Sequence, residues 1–304
     1  MHVYGQAKHR AYGRHARRFR SQSAMEYLMT YGWAILIIAV ILAAFFELGV
    51  FNPYTFAAKA QPGSCYVYRP DGAGTNNFIS LQGTCNGEIP ETVAGFTGQP
   101  YTQQSILVNS MEAYSSMTVT EWIYFTNTNF EATGPVVAGT DCTGQHVFLA
   151  VSSASTVGVW GGCDDTWPLS NVLTPNRWYF IAYTYNDPTL IVYADNIASS
   201  PVSMTYNLNA MNQFYIGNAD NGNVGQTEFD GYVANVQYYN TALSQGNVAA
   251  LYKEGIGGVP IDLNNLVGWW PLNGNANDYS GNGNNGNAID VSFTSGWYKG
   301  YTAP

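Results

Sequence analysis

Apolar residues follow two regimes along this chain. From Tyr27 to Phe51 the sequence reads YLMTYGWAILIIAVILAAFFELGVF, with one charge, Glu47, near its far end. A helix of about 20 apolar residues spans a bilayer, so residues 27–51 predict a single membrane-spanning helix. Beyond Asn52-Pro53 the pattern changes, because proline disfavours helix in the residue before it. Short β-prone runs follow, broken by Gly, Asn, Pro and Asp: Ser105–Val108, Met117–Phe125, Val147–Ser152, Val157–Trp160, Trp178–Tyr185, Thr189–Tyr193, Phe214–Gly217 and Tyr232–Tyr239. Regularly spaced strands with turn signals predict a mainly β sandwich. In RWYFIAYTYN both strand faces are apolar or aromatic, which predicts that one face meets the core and the other a groove or third layer. One helix stands out late, in NTALSQGNVAALYKEG. Ser244 supplies an N-cap, Val248, Leu251 and Tyr252 share a face, and Gly255 ends it.

Charge is just as uneven. The first 20 residues hold six of the eleven basic residues and no acid. All 20 acids lie beyond position 21, opposed only by Lys59, Arg69, Arg177, Lys253 and Lys299, a net −15. The positive-inside rule keeps the basic segment cytoplasmic and places everything after Phe51 outside. An acidic exported surface repels phosphate, which excludes nucleic acid as a partner. The four cysteines, Cys65, Cys85, Cys142 and Cys163, lack the Cys-x-x-Cys spacing of zinc sites. Two local disulfides, Cys65–Cys85 and Cys142–Cys163, suit an exported domain. Each would stabilise by about 3 kcal/mol on the chain-entropy account.

Glu26 sits at the mouth of the apolar run, where an unpaired carboxylate entering hydrocarbon is costly. With Gln22 four residues before it, SQSAMEYL resembles an archaeal class III (type IV prepilin-like) signal peptide. The resemblance implies cleavage between Ser21 and Gln22, ahead of the helix. It also implies that Glu26 pairs with a free N-terminal amine, its own or a neighbour's, when helices bundle. Ser21 departs from the commoner Gly before the cut. The alternative is an ordinary signal peptide cut after the apolar run, near Ala57-Ala58-Lys59-Ala60.

SMTVTEWIYF, NRWYFIAYTYNDPTLIVYADN, FYIGN and above all FDGYVANVQYYNTALSQGNVAALYKEG resemble the laminin-G-like, concanavalin A-type jelly roll, from about Ser105 to Gly255. The resemblance implies two antiparallel sheets. Family members bind glycans or proteins, some cleave glycans, and some are structural. Residues 266–293, LVGWWPLNGNANDYSGNGNNGNAIDVSF, are similar to the opening strand of such a domain, yet they follow its closing helix. A circularly permuted domain is therefore expected, with Val267–Leu272 and Ala288–Phe293 pairing in the same sandwich and burying Trp269 or Trp270. Donation of this segment to a neighbouring subunit is the rival. The expected organisation is a basic leader (1–21), a pilin-like transmembrane helix (22–56), a linker (57–63) and a jelly roll (64–304). Residues 64–104 form its disulfide-closed N-terminal extension.

Candidate chemistry is sparse. Glu228 and Asp230 form an i, i+2 pair without the third acid of the Glu-x-Asp-x-x-Glu glycosidase pattern, and Asp230 falls on a turn position. His146 is the sole histidine beyond Ser21, so no nucleophile–His–Asp set is formed and no catalysis is expected. Trp160 and Trp167 bracket GGCDDT. Indole faces stack on sugars and carboxylates accept hydroxyl hydrogens, so Trp160, Asp164, Asp165 and Trp167 make a candidate saccharide platform. A stapled loop with one Trp in the core explains them as well. Trp122 and Trp178 read as core. NGNANDYSGNGNNG supplies oxygen ligands for calcium at Asp278, and a tight Asn-Gly turn explains it equally. Two functions fit: a single-pass surface lectin-like module for adhesion or glycan recognition, or a ligand-free subunit of a type IV pilus-like filament joined through its helix. A glycoside hydrolase is disfavoured.

Overall fold

The structure, a computed structural model, describes residues 22–47, 63–85, 87–98, 104–109, 111–126, 136–138, 147–151, 155–160, 166–170, 172–205, 213–217 and 229–304. The chain divides into two units, Met1–Ala57 and Ala58–Pro304. In the first, helix α1 (Gln22–Glu47) stands where the apolar run predicts it. Its described side chains, over residues 29–45, are all exposed. Among the described residues no helix is long and apolar enough to cross a membrane.

The second unit is built of strands. In chain order they are β1 (Cys65–Tyr68), β2 (Ser80–Gly83), β3 (Thr92–Thr97), β4 (Ser105–Asn109), β5 (Ser116–Phe125), β6 (Val136–Ala138), β7 (Val147–Val151), β8 (Val157–Trp160) and β9 (Thr166–Leu169). Then come β10 (Trp178–Asn186), β11 (Thr189–Ala194), β12 (Ile197–Ala198), β13 (Val202–Ser203), β14 (Gln213–Ile216) and β15 (Asp230–Tyr239). Helix α2 (Gln245–Glu254) precedes β16 (Leu266–Trp270), β17 (Asn287–Ile289) and β18 (Ser292–Ser295). Among the described residues, one antiparallel sheet has nine strands in the order β12-β11-β10-β5-β15-β3-β18, with β13 on β11 and β16 on β15. A second has seven, β17-β4-β14-β6-β7-β8-β9, and β1 and β2 form a separate hairpin.

The large sheet is buried on both faces, as RWYFIAYTYN predicts. Tyr179, Ile181, Tyr183 and Tyr185 of β10 enter the inter-sheet core with Val119, Ile123 and Phe214. Trp178, Phe180 and Ala182 face the other way, into a second cluster with Trp122, Val248, Leu251, Trp269 and Trp297. Helix α2 provides that third layer. Ser244 caps it by accepting from Asn247 N at 3.2 Å, and Gly255 ends it at φ 80°, a conformation that favours glycine. Tyr252 stacks on Trp122 with ring centroids 6.0 Å apart. Gly231 opens the central strand because a Cβ there would lie 1.9 Å from Tyr124 O.

The C-terminal segment closes the sandwich within its own chain. β16 pairs with β15, β17 with β4 and β18 with β3. Trp269 and Trp270 are both buried, one in each cluster. Residues 64–104 are more than an extension, which corrects that expectation. β3 lies between β15 and β18, because Val93 fits the outer cluster while Ala94 and Phe96 fit the inter-sheet core. Cys65 and Cys85 are bonded, with Cα atoms 4.8 Å apart. Cys142 and Cys163 lie outside the described residues.

One core residue breaks the apolar pattern. Glu121 has the same parity on β5 as Val119 and Ile123, is 0% exposed, and neither carboxylate oxygen has a hydrogen-bond partner. It stands opposite a bulge: Trp122 pairs with Ala234 and Thr120 with Gln237, so Asn235 and Val236 together face it. Burial pushes its carboxyl well above the ordinary range. Below about pH 4 the folded and unfolded chains both hold this proton. As pH rises further, the unfolded chain releases it and the folded chain keeps it. Stability is then lost at up to about 1.4 kcal/mol per pH unit until the raised folded pKa is passed. Glu121→Gln is expected to remove this slope, measured as urea-unfolding free energy from about pH 4 to 8.

Candidate functional site

Two fasteners hold the β1–β2 hairpin to the C-terminal segment. Arg69, directly after β1, is buried. Its Nε donates to Ser280 O at 2.9 Å, one terminal nitrogen to Thr75 O at 2.6 Å, and the other to Leu263 O at 2.9 Å and Leu266 O at 3.1 Å. Burial lowers the Arg69 pKa and the charge of Asp278 opposes that shift. Val67 N also donates to Tyr279 O at 3.0 Å.

Asp278 is the second fastener. Oδ1 accepts from Trp269 N at 3.0 Å and Ser280 N at 2.8 Å. Oδ2 accepts from Ser280 Oγ at 2.8 Å and Asn284 N at 2.9 Å. Four donors thus fill the carboxylate. Among the described residues no group of three His, Cys, Asp or Glu is arranged to hold a metal ion. A cation needs oxygens turned toward it, whereas these receive N–H and O–H hydrogens, so the surroundings of Asp278 do not fit the calcium expected there. The Asn-Gly run is an Asp-organised turn.

Between hairpin and turn lies an open cleft of ≈ 380 Å³, within the range of small-molecule sites. Asn76 and Gly74 form one wall, Asn240 and Asn264 another, and Asn282 and Asn284 a third, with Leu266 and Val267 between them. Asn282 Nδ2 donates to Leu266 O at 2.8 Å and its Oδ1 accepts from Gly74 N at 2.7 Å. Asn284 Nδ2 donates to Val267 O at 2.8 Å. These two amides position the walls. Asn240 Oδ1 is buried without a hydrogen-bond partner, which costs about 1–3 kcal/mol unless a donor reaches it. Glu112 and Tyr114 complete the rim. The Tyr114 ring lies 6.0 Å from that of Tyr238, and burial, aided by the Glu112 charge, raises its pKa. Amides that donate and accept, one phenol and one carboxylate suit a polyhydroxylated ligand.

The residues expected from sequence meet this site only in part. Asp278 and the Cys65–Cys85 hairpin support the cleft from behind and from one side. Trp167 is elsewhere, on the edge strand β9, where it packs over Gly158; a Cβ at Gly158 would lie 2.8 Å from Trp167 Cε3. Trp160 occupies the register position opposite Phe148 in β7. Asp164, Asp165 and Ser21 lie outside the described residues, as do the side chains of Gln22 and Glu26. Asp230 begins β15, and its Oδ2 accepts from Thr126 Oγ1 at 2.9 Å. Arg69, Glu112, Tyr114 and Asn240 were not singled out. The available signal was Arg69, one of few basic residues beyond the leader.

A family model described as the concanavalin A-like lectin/glucanases superfamily matches residues 97–249. The chain belongs to that superfamily. Among solved structures it is similar to the native heptameric SAP-like pentraxin from Limulus polyphemus, at 14% identity and a TM-score of 0.51, covering 68% of this chain and 95% of that one. It is also similar to a carbohydrate-binding candidate from Bacteroides ovatus, at 17% identity and a TM-score of 0.50, covering 73% of this chain and 64% of that one. At these identities the likeness shows the fold. No curated protein matches the chain.

Asp278→Ala is expected to strand Trp269 N, Ser280 N and Asn284 N and to lower stability by about 3 kcal/mol. Urea unfolding measures the loss.

Proposed function

We propose that this chain is a surface-held, lectin-like binding module that recognises glycans. The observation that carries the reading is the amide-lined cleft on a domain of the lectin/glucanase superfamily. The Bacteroides ovatus structure, a carbohydrate-binding candidate, is consistent with it. Binding fits the cleft better than hydrolysis does. Glycosidases of the common type place two carboxylates about the scissile bond, whereas here Glu112 stands on the rim and Asp278 is occupied by four donors. A glycan array probed with the full-length chain tests the reading. Retention of at least one glycan, lost in Asn240→Leu, is the expected result; no binding to any glycan would overturn it.

The N-terminal helix belongs to the same proposal. Met29, Trp33, Ile37 and Ile41 are exposed along α1, and lipid or other apolar helices would remove them from water. The basic flank and residues Gln22 and Glu26 support cleavage after Ser21, with the helix retained in the cell membrane and the domain outside. Mass spectrometry of the mature chain is expected to find Gln22 as its first residue; a start near Ala58 would mean ordinary signal-peptide removal. The exposed helix also favours a second reading, a ligand-free subunit of a pilus-like filament. Filaments on producing cells in electron micrographs, together with an empty array, would select it.

A further inference from the structure

Resting on the glycan-binding reading, we infer that the cleft selects neutral saccharides and rejects anionic ones such as sialylated, uronate-bearing or sulfated chains. The argument begins with Arg69, the cationic side chain at the cleft. A guanidinium offers five N–H donors, and four of Arg69's hydrogen bonds already go to the carbonyls of Thr75, Leu263, Leu266 and Ser280. It is turned inward to the fold, it is buried, and the Asp278 carboxylate acts on it. It therefore lacks the open fork that grips a carboxylate or sulfate in bidentate fashion.

The rim adds the opposite sign. Glu112 lines the cleft and is exposed, and its charge is felt by Tyr114 and Tyr238. Two carboxylates, Glu112 and Asp278, thus stand about one guanidinium. The other described cations do not line the cleft. Arg177 pairs with Asp195 at 2.8 Å, and Lys253 lies in the last turn of α2. The remaining lining groups include the neutral amides of Asn76, Asn240 and Asn264, which pair with hydroxyls without preferring charge. An anionic sugar entering here meets a like charge and finds no cation to offset its lost hydration.

The test uses the full-length chain in a non-glycosidic detergent. The probes are neutral gluco-, manno- and galacto-oligosaccharides and the same backbones bearing a uronate, sulfate or sialic acid. Neutral probes are expected to bind about tenfold more tightly than their anionic counterparts at low salt, with the gap narrowing at ~0.5 M salt. Asn76→Lys, which adds an ammonium to the exposed wall, is expected to bring the anionic probes up relative to the neutral ones. Glu112→Gln is expected to narrow the gap. Anionic probes binding as tightly as neutral ones would overturn the selectivity and leave the glycan-binding reading intact. A gap unmoved by both variants would place its origin outside this cleft and overturn the inference as well. Failure of every probe would instead count against the glycan-binding reading on which it rests.

Discussion

Everything in the sandwich follows from a large sheet that has no face suited to water. β5, β10 and β15 carry aromatic side chains on alternate faces: Tyr179 and Tyr183 inward, Trp122, Trp178 and Phe180 outward. Leaving one such side chain in water forgoes about 1.5–3 kcal/mol of burial, so the outer face requires a cover. Helix α2, the β1–β2 hairpin and the C-terminal tail supply it. Their seams are polar and satisfied. Trp178 Nε1 donates to Trp297 O at 2.9 Å and Trp297 Nε1 to Pro90 O at 2.9 Å. Ile256 N donates to Tyr301 Oη at 3.0 Å. Deeper in, Trp269 Nε1 donates to Asn235 Oδ1 at 2.9 Å, and Asn235 Nδ2 donates to Gly258 O at 2.8 Å, tying the bulge of β15 to the loop after α2. The cleft exists because two parts of this cover, hairpin and Asn-Gly turn, meet at Arg69 without closing over one another.

Local pattern made much of this legible and non-local assembly hid the rest. The caps of α2 and its buried Val248 and Leu251 are written within a few residues. The two-faced β10 is written in its own composition. The C-terminal strands were recognisable because Trp269 and Trp270 recur in a pattern similar to that of an opening strand. β3 was not, since TVAGFT is short and its meaning depends on β15 and β18 on either side. Nor was the cleft. Its asparagines at 76, 240, 264, 282 and 284 share no spacing, and only long-range packing brings them together. Asp278 shows a different limit. An oxygen-rich run looks alike whether its oxygens face a cation or face backbone N–H groups, and here the donors come from Trp269, Ser280 and Asn284. Glu121 conflicts with its strand's pattern, and only the structure tells that nothing compensates it.

The position of the last strands bears on how copies of this chain meet. β3 and β16 lie end to end along one side of β15, while β5 takes the other. β18 then covers β3, and β17 covers β4 in the opposite sheet. Each pairing is made by the chain's own C-terminal segment, so the sandwich is complete without a strand from a neighbour. Exchange would require β16 to leave a place where Trp270 stacks on Phe214 at 5.1 Å and Trp269 is bonded to Asn235. Withdrawing such buried aromatics costs far more than the short edges β17 and β18 offer in return. Contact between copies has therefore to be sought away from strand donation. Helix α1 is the element whose apolar side chains are left open along its described length, and its cover, lipid or another helix, is independent of how the sandwich is closed.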